Sequence, residues 1–292
     1  MKFAVSMAFS DPAHWLELAR TADAAGWDAV LVSDHVVHPQ TIASPYPYTK
    51  DGAPRWDAPT PWPDPWVAIG AMGAVTRRVR FMTGVYVLPL RNPFVAAKAI
   101  GTAAVLSGGR VTLGIGMGWM EEEFELLEQP FGQRGRRADE MIEVMRKLWS
   151  GEVVEHHGEF YDFAPLSMSP APAAPIPIVV GGLSDAALRR AARLDGWISD
   201  IHTSAELREI TATLRAYRAE AGRAREPFEV VAACSDAFDA AGYLRLAEAG
   251  VSCVQTMPWY FYGGALDDLE KKKEGILRFA EDVFPALAGA PR

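Results

Sequence analysis

Apolar positions along this chain alternate between short β-branched runs and stretches with a 3.6-residue period. Residues 2–7 read as a strand. Asp11-Pro12 then opens a helix in which Trp15, Leu18, Ala19, Ala22 and Ala25 share one face, and Gly26 ends it. A second apolar run, 28–32, leads straight into Ser33-Asp34-His35. Asp64-Pro65 caps a helix to about residue 75, and 81–88 is an apolar run suited to a buried strand. Asn92-Pro93 starts an Ala-rich helix to about residue 106, which Gly108-Gly109 stop. The run 111–115 follows, closed by Gly114, Gly116 and Gly118. Strand, helix and strand, with strands apolar on both faces, form a βαβ unit of a parallel sheet.

The alternation continues. A short acidic helix is expected at 121–128 and a longer one at 137–149. A hairpin is expected at 153–163, turning at Gly158, and a Pro/Ala-rich extended segment at 164–177. Strands at 178–180, 196–199, 228–233 and 251–257 then alternate with helices at 184–194, 205–221, 237–249 and 266–284. Eight strands and about as many helices predict an α/β fold, a (β/α)8 TIM barrel. Insertions follow strand two and span 150–177, and one barrel domain covers 1–292. An open doubly wound sheet fits less well, because no GxGxxG turn follows the first strand.

Composition narrows the partners. The 292 residues are 49% hydrophobic, enough for one large core, with a net charge of −8. The only run of basic residues, Lys271-Lys272-Lys273, reads as a solvated helix face, so nucleic acid is not an expected partner and neither is an anionic membrane. No apolar run approaches a membrane span, and the chain starts in a strand without a signal-peptide pattern. Cys234 and Cys253 lack metal-site spacing and read as buried free thiols; a cytoplasmic protein without a metal is expected.

In a barrel of this kind, chemistry sits at the carboxyl ends of the strands. His35 follows strand two, where it can act as general acid or base or donate to a ring, and Asp34 beside it can orient the loop. The loop 36–63 is long; seven prolines fall between Pro45 and Pro65, interspersed with Tyr46, Tyr48, Trp56 and Trp62, which suggests an active-site wall or lid. Thr83-Gly84-Val85 places a glycine inside strand three, the mark of a bulge or a close backbone approach. Gly114, Gly116 and Gly118 would let a flat ligand lie against backbone. Gly181-Gly182-Leu183-Ser184 opens a helix after strand five, where free amides suit a phosphate. After strand eight, Trp259, Tyr260, Phe261 and Tyr262 suggest a pocket wall or a subunit contact. The residues describe a barrel enzyme for a flat, phosphate-bearing ligand without naming it.

The stretches DAAGWDAVLVSDH (23–35), TRRVRFMTGVYVLPLRNPFVAAKAIGTAAVLSGGRVTLGIGMGWMEEEF (76–124), RGRRADE (134–140) and PIPIVVGGLSDAALRRAARLDGWI (175–198), in this order, resemble the bacterial luciferase-like superfamily. The match is to its deazaflavin-dependent branch, which uses coenzyme F420. It covers roughly residues 1–200; the final third follows in pattern only. The resemblance implies that the barrel mouth binds the deazaflavin or flavin ring. A non-prolyl cis peptide in strand three, here Gly84–Val85 after Thr83, would lie behind the ring, with Asp34, His35, Gly116, Gly118 and Trp119 around it. The phosphate would rest on Gly181, Gly182, Leu183 and Ser184. Some of Arg77, Arg91, Arg110 and Arg189 would meet the acidic cofactor tail. A sugar-phosphate dehydrogenase of this family has a glutamate where this chain places Trp119, although Glu122 and Glu123 follow closely, so sugar-phosphate oxidation is not the expected activity.

The expected function is hydride transfer between coenzyme F420 and a small, apolar or aromatic carbonyl, imine, activated alkene or alcohol, with His35 as the catalytic acid/base. The alternative is an FMN-dependent monooxygenase using molecular oxygen; a barrel that binds a phosphorylated ligand without redox chemistry is the third reading. By analogy with the family, a homodimer is expected.

Overall fold

The computed structural model describes residues 1–264 and 267–287. Eight parallel strands close into a ring: β1 (Lys2–Ser6), β2 (Ala29–Val32), β3 (Arg80–Thr83), β4 (Val111–Gly116), β5 (Ile178–Gly181), β6 (Gly196–His202), β7 (Glu229–Cys234) and β8 (Cys253–Thr256). β1 pairs with both β2 and β8, and β3 pairs with β4, so no edge is left open. Inside the ring, Ala4, Ala29, Leu31, Met82, Val179, Ile198, Val231 and Cys253 form a small filled core. The larger core lies between strands and helices, and this is why the strands read as apolar on both faces.

Local chemistry fixes the helix ends. The side chains of Asp64 and Asn92 accept the first free amides of the helices Pro65–Val75 and Pro93–Leu106, and Ser184 does the same for Asp185–Ala192. Thr203 and Glu206 form a reciprocal capping box on the helix Ser204–Glu220. The hairpin of Val154–His157 and Asp162–Leu166 lies outside the ring. It is held to the helix Arg134–Leu148 by Glu140, whose carboxylate accepts the amides of Glu159, Phe160 and Tyr161.

Several expectations change. The run 81–88 is not one strand. β3 stops at Thr83, the Gly84–Val85 peptide is cis, and Tyr86–Val87 resumes the pairing with β4 before a 3-10 turn, Leu88–Leu90. Apolar, β-branched composition favours a strand at each residue but carries no record of such a break. β6 runs three residues further than expected and is bulged, since Val231 faces Ile198 while Ala233 faces Ile201. The last helix is Leu269–Leu287; its expected start at Leu266 lies outside the described residues. Lys272 is not part of a solvated face but fully buried, because helical spacing sets it on the inward side with Gly275, Ile276 and Phe279. Cys253 is buried as expected, whereas Cys234, at the end of β7, is only partly covered. Among the described residues, no helix is long and apolar enough to cross a membrane.

Candidate functional site

The carboxyl ends of β3 and β4 interlock through alternate residues. Thr83 Oγ donates to the Gly114 carbonyl (2.7 Å) and accepts the Gly114 amide (2.9 Å). A Cβ placed on Gly114 would lie 1.8 Å from the Thr83 carbonyl oxygen, one on Gly116 2.5 Å from Val85 Cγ2, and one on Gly118 2.8 Å from Val87 Cγ1. Gly114 and Gly116 of β4 thus receive Thr83 and Val85 of the broken third strand, and Gly118 just beyond β4 receives Val87 together with Phe124. Gly181 of β5 contributes to the same seat, since a Cβ there would lie 2.8 Å from Val85 Cγ1. These glycines were expected to let a flat ligand lie against backbone; the space beside them is instead taken by neighbouring protein atoms, and Val85 sits against both Gly116 and Gly181.

Asp34 and His35, adjacent at the end of β2, have opposite surroundings. Asp34 is buried, accepts two hydrogen bonds from the Arg91 guanidinium (2.6 and 2.7 Å) and a third from the Val87 amide (2.9 Å). Burial raises its pKa, outweighing the pull of Arg91 and the Val87 amide in the other direction. With three charge-assisted bonds it serves as the buried anchor of the segment after β3. His35 Nδ1 lies 3.0 Å from Glu123 Oε2, and the other oxygen of Glu123 accepts the amides of Val36 (2.8 Å) and Val37 (3.3 Å). Burial works to raise the Glu123 pKa, but the bond and charge of His35 and the two amides outweigh it and hold the carboxyl below its ordinary value.

The long loop folds over His35. Glu122 accepts the amides of Ala43 (2.6 Å) and Ser44 (3.0 Å), which ties the loop to the short helix Glu121–Leu126. Trp56 and Trp62 stand 4.9 and 5.4 Å from the His35 ring, and Tyr46 packs edge-on against Trp119 at 5.1 Å. At the far side of the mouth Arg55 bridges Asp200, on the β6 bulge, and donates to the Tyr48 carbonyl. Beside this ion pair lies a cavity of about 310 Å³ lined by Tyr48, Lys50, Arg55, Leu183, Asp200 and His202; His35 is not part of its lining. His202 Nε2 is 2.6 Å from Ser199 Oγ, and burial lowers its pKa.

The turn after β5 is held by Trp197, whose indole N–H donates to the Gly182 carbonyl (2.9 Å), and Gly182 takes a φ of +113° that favours glycine. Ser184 caps Ala187, one of the amides that a helix start leaves without an intrahelical partner. Asp185 in that turn is drawn aside to Arg189 and the Tyr217 hydroxyl.

Other expected residues lie elsewhere. Arg110 donates to the carbonyls of Gly73, Thr76 and Val79, and the Arg77 amide bonds Asp23; both stand at the amino end of the barrel, away from any cofactor tail at the mouth. Arg91 is engaged by Asp34, and Arg189 stacks on Tyr217 beside Glu220. Trp259 is fully buried and its backbone packs on Gly275; Tyr260 and Phe261 are exposed. The residues missed from the sequence were Glu123 as the partner of His35, and Arg55 with Asp200. Only the acidic run 121–123 after the glycines hinted at the first.

Comparison with known proteins places this geometry. A family model described as luciferase-like monooxygenase matches residues 3–241. The uncharacterised protein Rv0940c of Mycobacterium tuberculosis is 41% identical over 287 residues, which span 97% of this chain and 99% of that protein. An F420-dependent glucose-6-phosphate dehydrogenase of Segniliparus rotundus is 36% identical over 202 residues, covering 68% of this chain and 56% of the dehydrogenase. Among solved structures, an F420-dependent secondary alcohol dehydrogenase in complex with an F420-acetone adduct superposes with a TM-score of 0.75 at 18% identity, over 98% of each chain. The monooxygenase RslO1 from Streptomyces bottropensis gives 0.74 at 21%, over 98% of this chain and 99% of that one. Both likenesses are of fold. On the extent of the family match, the chain belongs to the luciferase-like monooxygenase family.

Proposed function

We propose that this protein is an oxidoreductase that transfers a hydride between coenzyme F420 and a small, apolar or aromatic organic substrate: a carbonyl, imine, activated alkene or alcohol. The observation that carries the reading is His35, held by Glu123 inside an aromatic mouth directly beside the broken third strand. The named relative at 36% identity, an F420-dependent enzyme, favours the deazaflavin.

The residues present fit a flat ring with a phosphate. The indole N–H groups of Trp56 and Trp62 are buried without an acceptor, and Gly181, Gly182, Leu183 and Ser184 lead into a helix start, where backbone amides suit a phosphate. Thr83, Gly84, Val85, Gly116 and Gly118 would support the ring through the seat of Val85, with Trp119 at its margin and Asp34 bracing the strand end. Coenzyme F420 supplies the hydride-transfer chemistry when bound. The chain supplies orientation, exclusion of water by the loop 36–63, and a proton at His35 for the substrate heteroatom. Trp119 brings no acidic proton, so a sugar phosphate is not the proposed substrate.

The second reading is an FMN-dependent monooxygenase, supported by the family model's description as luciferase-like monooxygenase. The hydride-transfer proposal is tested by anaerobic turnover of reduced F420 with a panel of ketones, aldehydes and enones. Turnover should fall about 100-fold or more in His35→Ala. Full turnover in that variant, with the same pH dependence, removes His35 from the chemistry.

By analogy with the family, the working unit is proposed to be a homodimer in the cytoplasm, with 1–292 forming one barrel.

A further inference from the structure

We propose that Glu123 fixes the tautomer of His35: it holds the imidazole proton on Nδ1, so that Nε2 is the atom that gives and takes the proton in catalysis. The inference rests on the reading of His35 as the proton-handling residue of a hydride-transfer site. Glu123 acts through His35 and is a positioning residue.

The geometry leaves one arrangement. Glu123 Oε2 is 3.0 Å from Nδ1, and Oε1 is already occupied by the Val36 and Val37 amides. The side chain is almost fully buried, and its pKa is held below the ordinary value although burial alone would raise it. An ionised carboxylate only accepts, so the contact is a hydrogen bond when Nδ1 carries the hydrogen. Neutral His35 then has its lone pair on Nε2, the reverse of the tautomer that free imidazole side chains favour in water. Nε2 has no hydrogen-bond partner among the described residues. The neighbouring carboxylates do not compete. Asp34 is taken by Arg91 and the Val87 amide, and Glu122 bonds the Ala43 and Ser44 amides through Oε1 and makes no hydrogen bond to His35.

The position is also informative. Trp119 stands where the resemblance placed an acid, and Glu123, four residues further along the chain, bonds the histidine instead. In the reductive direction the substrate carbon receives the hydride with its electron pair. The proton on Nε2 of the imidazolium passes to the heteroatom, or to carbon in an activated alkene. His35 is left neutral with its remaining proton on Nδ1 toward Glu123, and solvent restores the Nε2 proton. Oxidation of an alcohol runs the same transfers in reverse. The same carboxylate binds the first two amides of the loop, so ring orientation and loop position are set by one side chain.

The test is the nitrogen-15 spectrum of His35 in histidine-labelled apo-protein, assigned with His35→Gln and recorded above about pH 8, where an ordinary histidine is neutral. The expected pattern is a protonated Nδ1 and an unprotonated Nε2; the opposite tautomer overturns the proposal. Glu123→Gln should shift the population toward protonated Nε2. Its kcat should fall about 10- to 100-fold, with KM and F420 affinity within about twofold. Unchanged kcat in a folded Glu123→Gln would also overturn it. Failure of the F420 reading is distinct, because it would show as no cofactor binding by the wild type while the Nδ1–H tautomer persists, and that tautomer supports the assignment to Glu123.

Discussion

Val85 and Gly116 are fitted to one another across β3 and β4: any Cβ at position 116 would lie 2.5 Å from Val85 Cγ2. Because the obstacle is a side chain, it can be removed. Gly116→Ala is expected to destabilise the protein by about 1–3 kcal/mol through overpacking, and Val85→Ala to recover much of that loss. Gly114→Ala should not be rescued by any side-chain truncation, since its Cβ would meet the Thr83 carbonyl at 1.8 Å. Denaturant midpoints of the single and double variants check this; strictly additive effects would refute the fit.

The Glu123 carboxyl has a signature in acid. Burial acts to raise its pKa, yet His35 and the Val36 and Val37 amides hold it below the ordinary value. A carboxyl with a depressed folded pKa stabilises the fold above its unfolded pKa of about 4.3. That contribution is lost as pH falls through the lower, folded value. Wild type is therefore expected to be the more stable at neutral pH by about 1–3 kcal/mol. Its Tm should begin to converge on that of Glu123→Gln as pH falls below the unfolded value of about 4.3, and meet it below the folded one. Thermal unfolding across that range decides; parallel curves would contradict the shift.

The outward face of two adjacent helices calls for a covering partner. Pro65–Val75 carries no charged side chain, and Val67, Val95 and Leu106 are 74%, 67% and 69% exposed. A second copy of this chain is the expected occupant. Light scattering should return twice the chain mass, and Val67→Glu should return the single mass with the fold intact. A monomeric wild type would remove the dimer.

Much of the fold was legible because it is encoded locally. Asp64, Asn92 and Ser184 cap helices at the positions their sequence context indicates, and glycines 26 and 250 close helices in the left-handed conformation. The site was legible only in part. His35 is placed by its strand, but its partner Glu123 lies 88 residues away, and Arg55 meets Asp200 across 145 residues. Such pairings depend on how the loop 36–63 closes, which no periodicity records. The glycines of β4 were visible as a motif while their purpose was not, because the residues they accommodate belong to the neighbouring strand. Lys272 was hidden among its neighbours: in a run of three lysines, only the helix phase distinguishes the buried one.

The central claim concerns the cofactor, and binding tests it most directly. Titration of purified apo-protein with coenzyme F420 and, separately, with FMN, followed by quenching of cofactor fluorescence, is expected to give tight binding of F420 and binding of FMN weaker by about tenfold or more, a difference of at least about 1.4 kcal/mol. Preferred binding of FMN would contradict the hydride-transfer account and turn the reading to oxygen chemistry; binding of neither would leave the barrel and its family standing without the proposed activity.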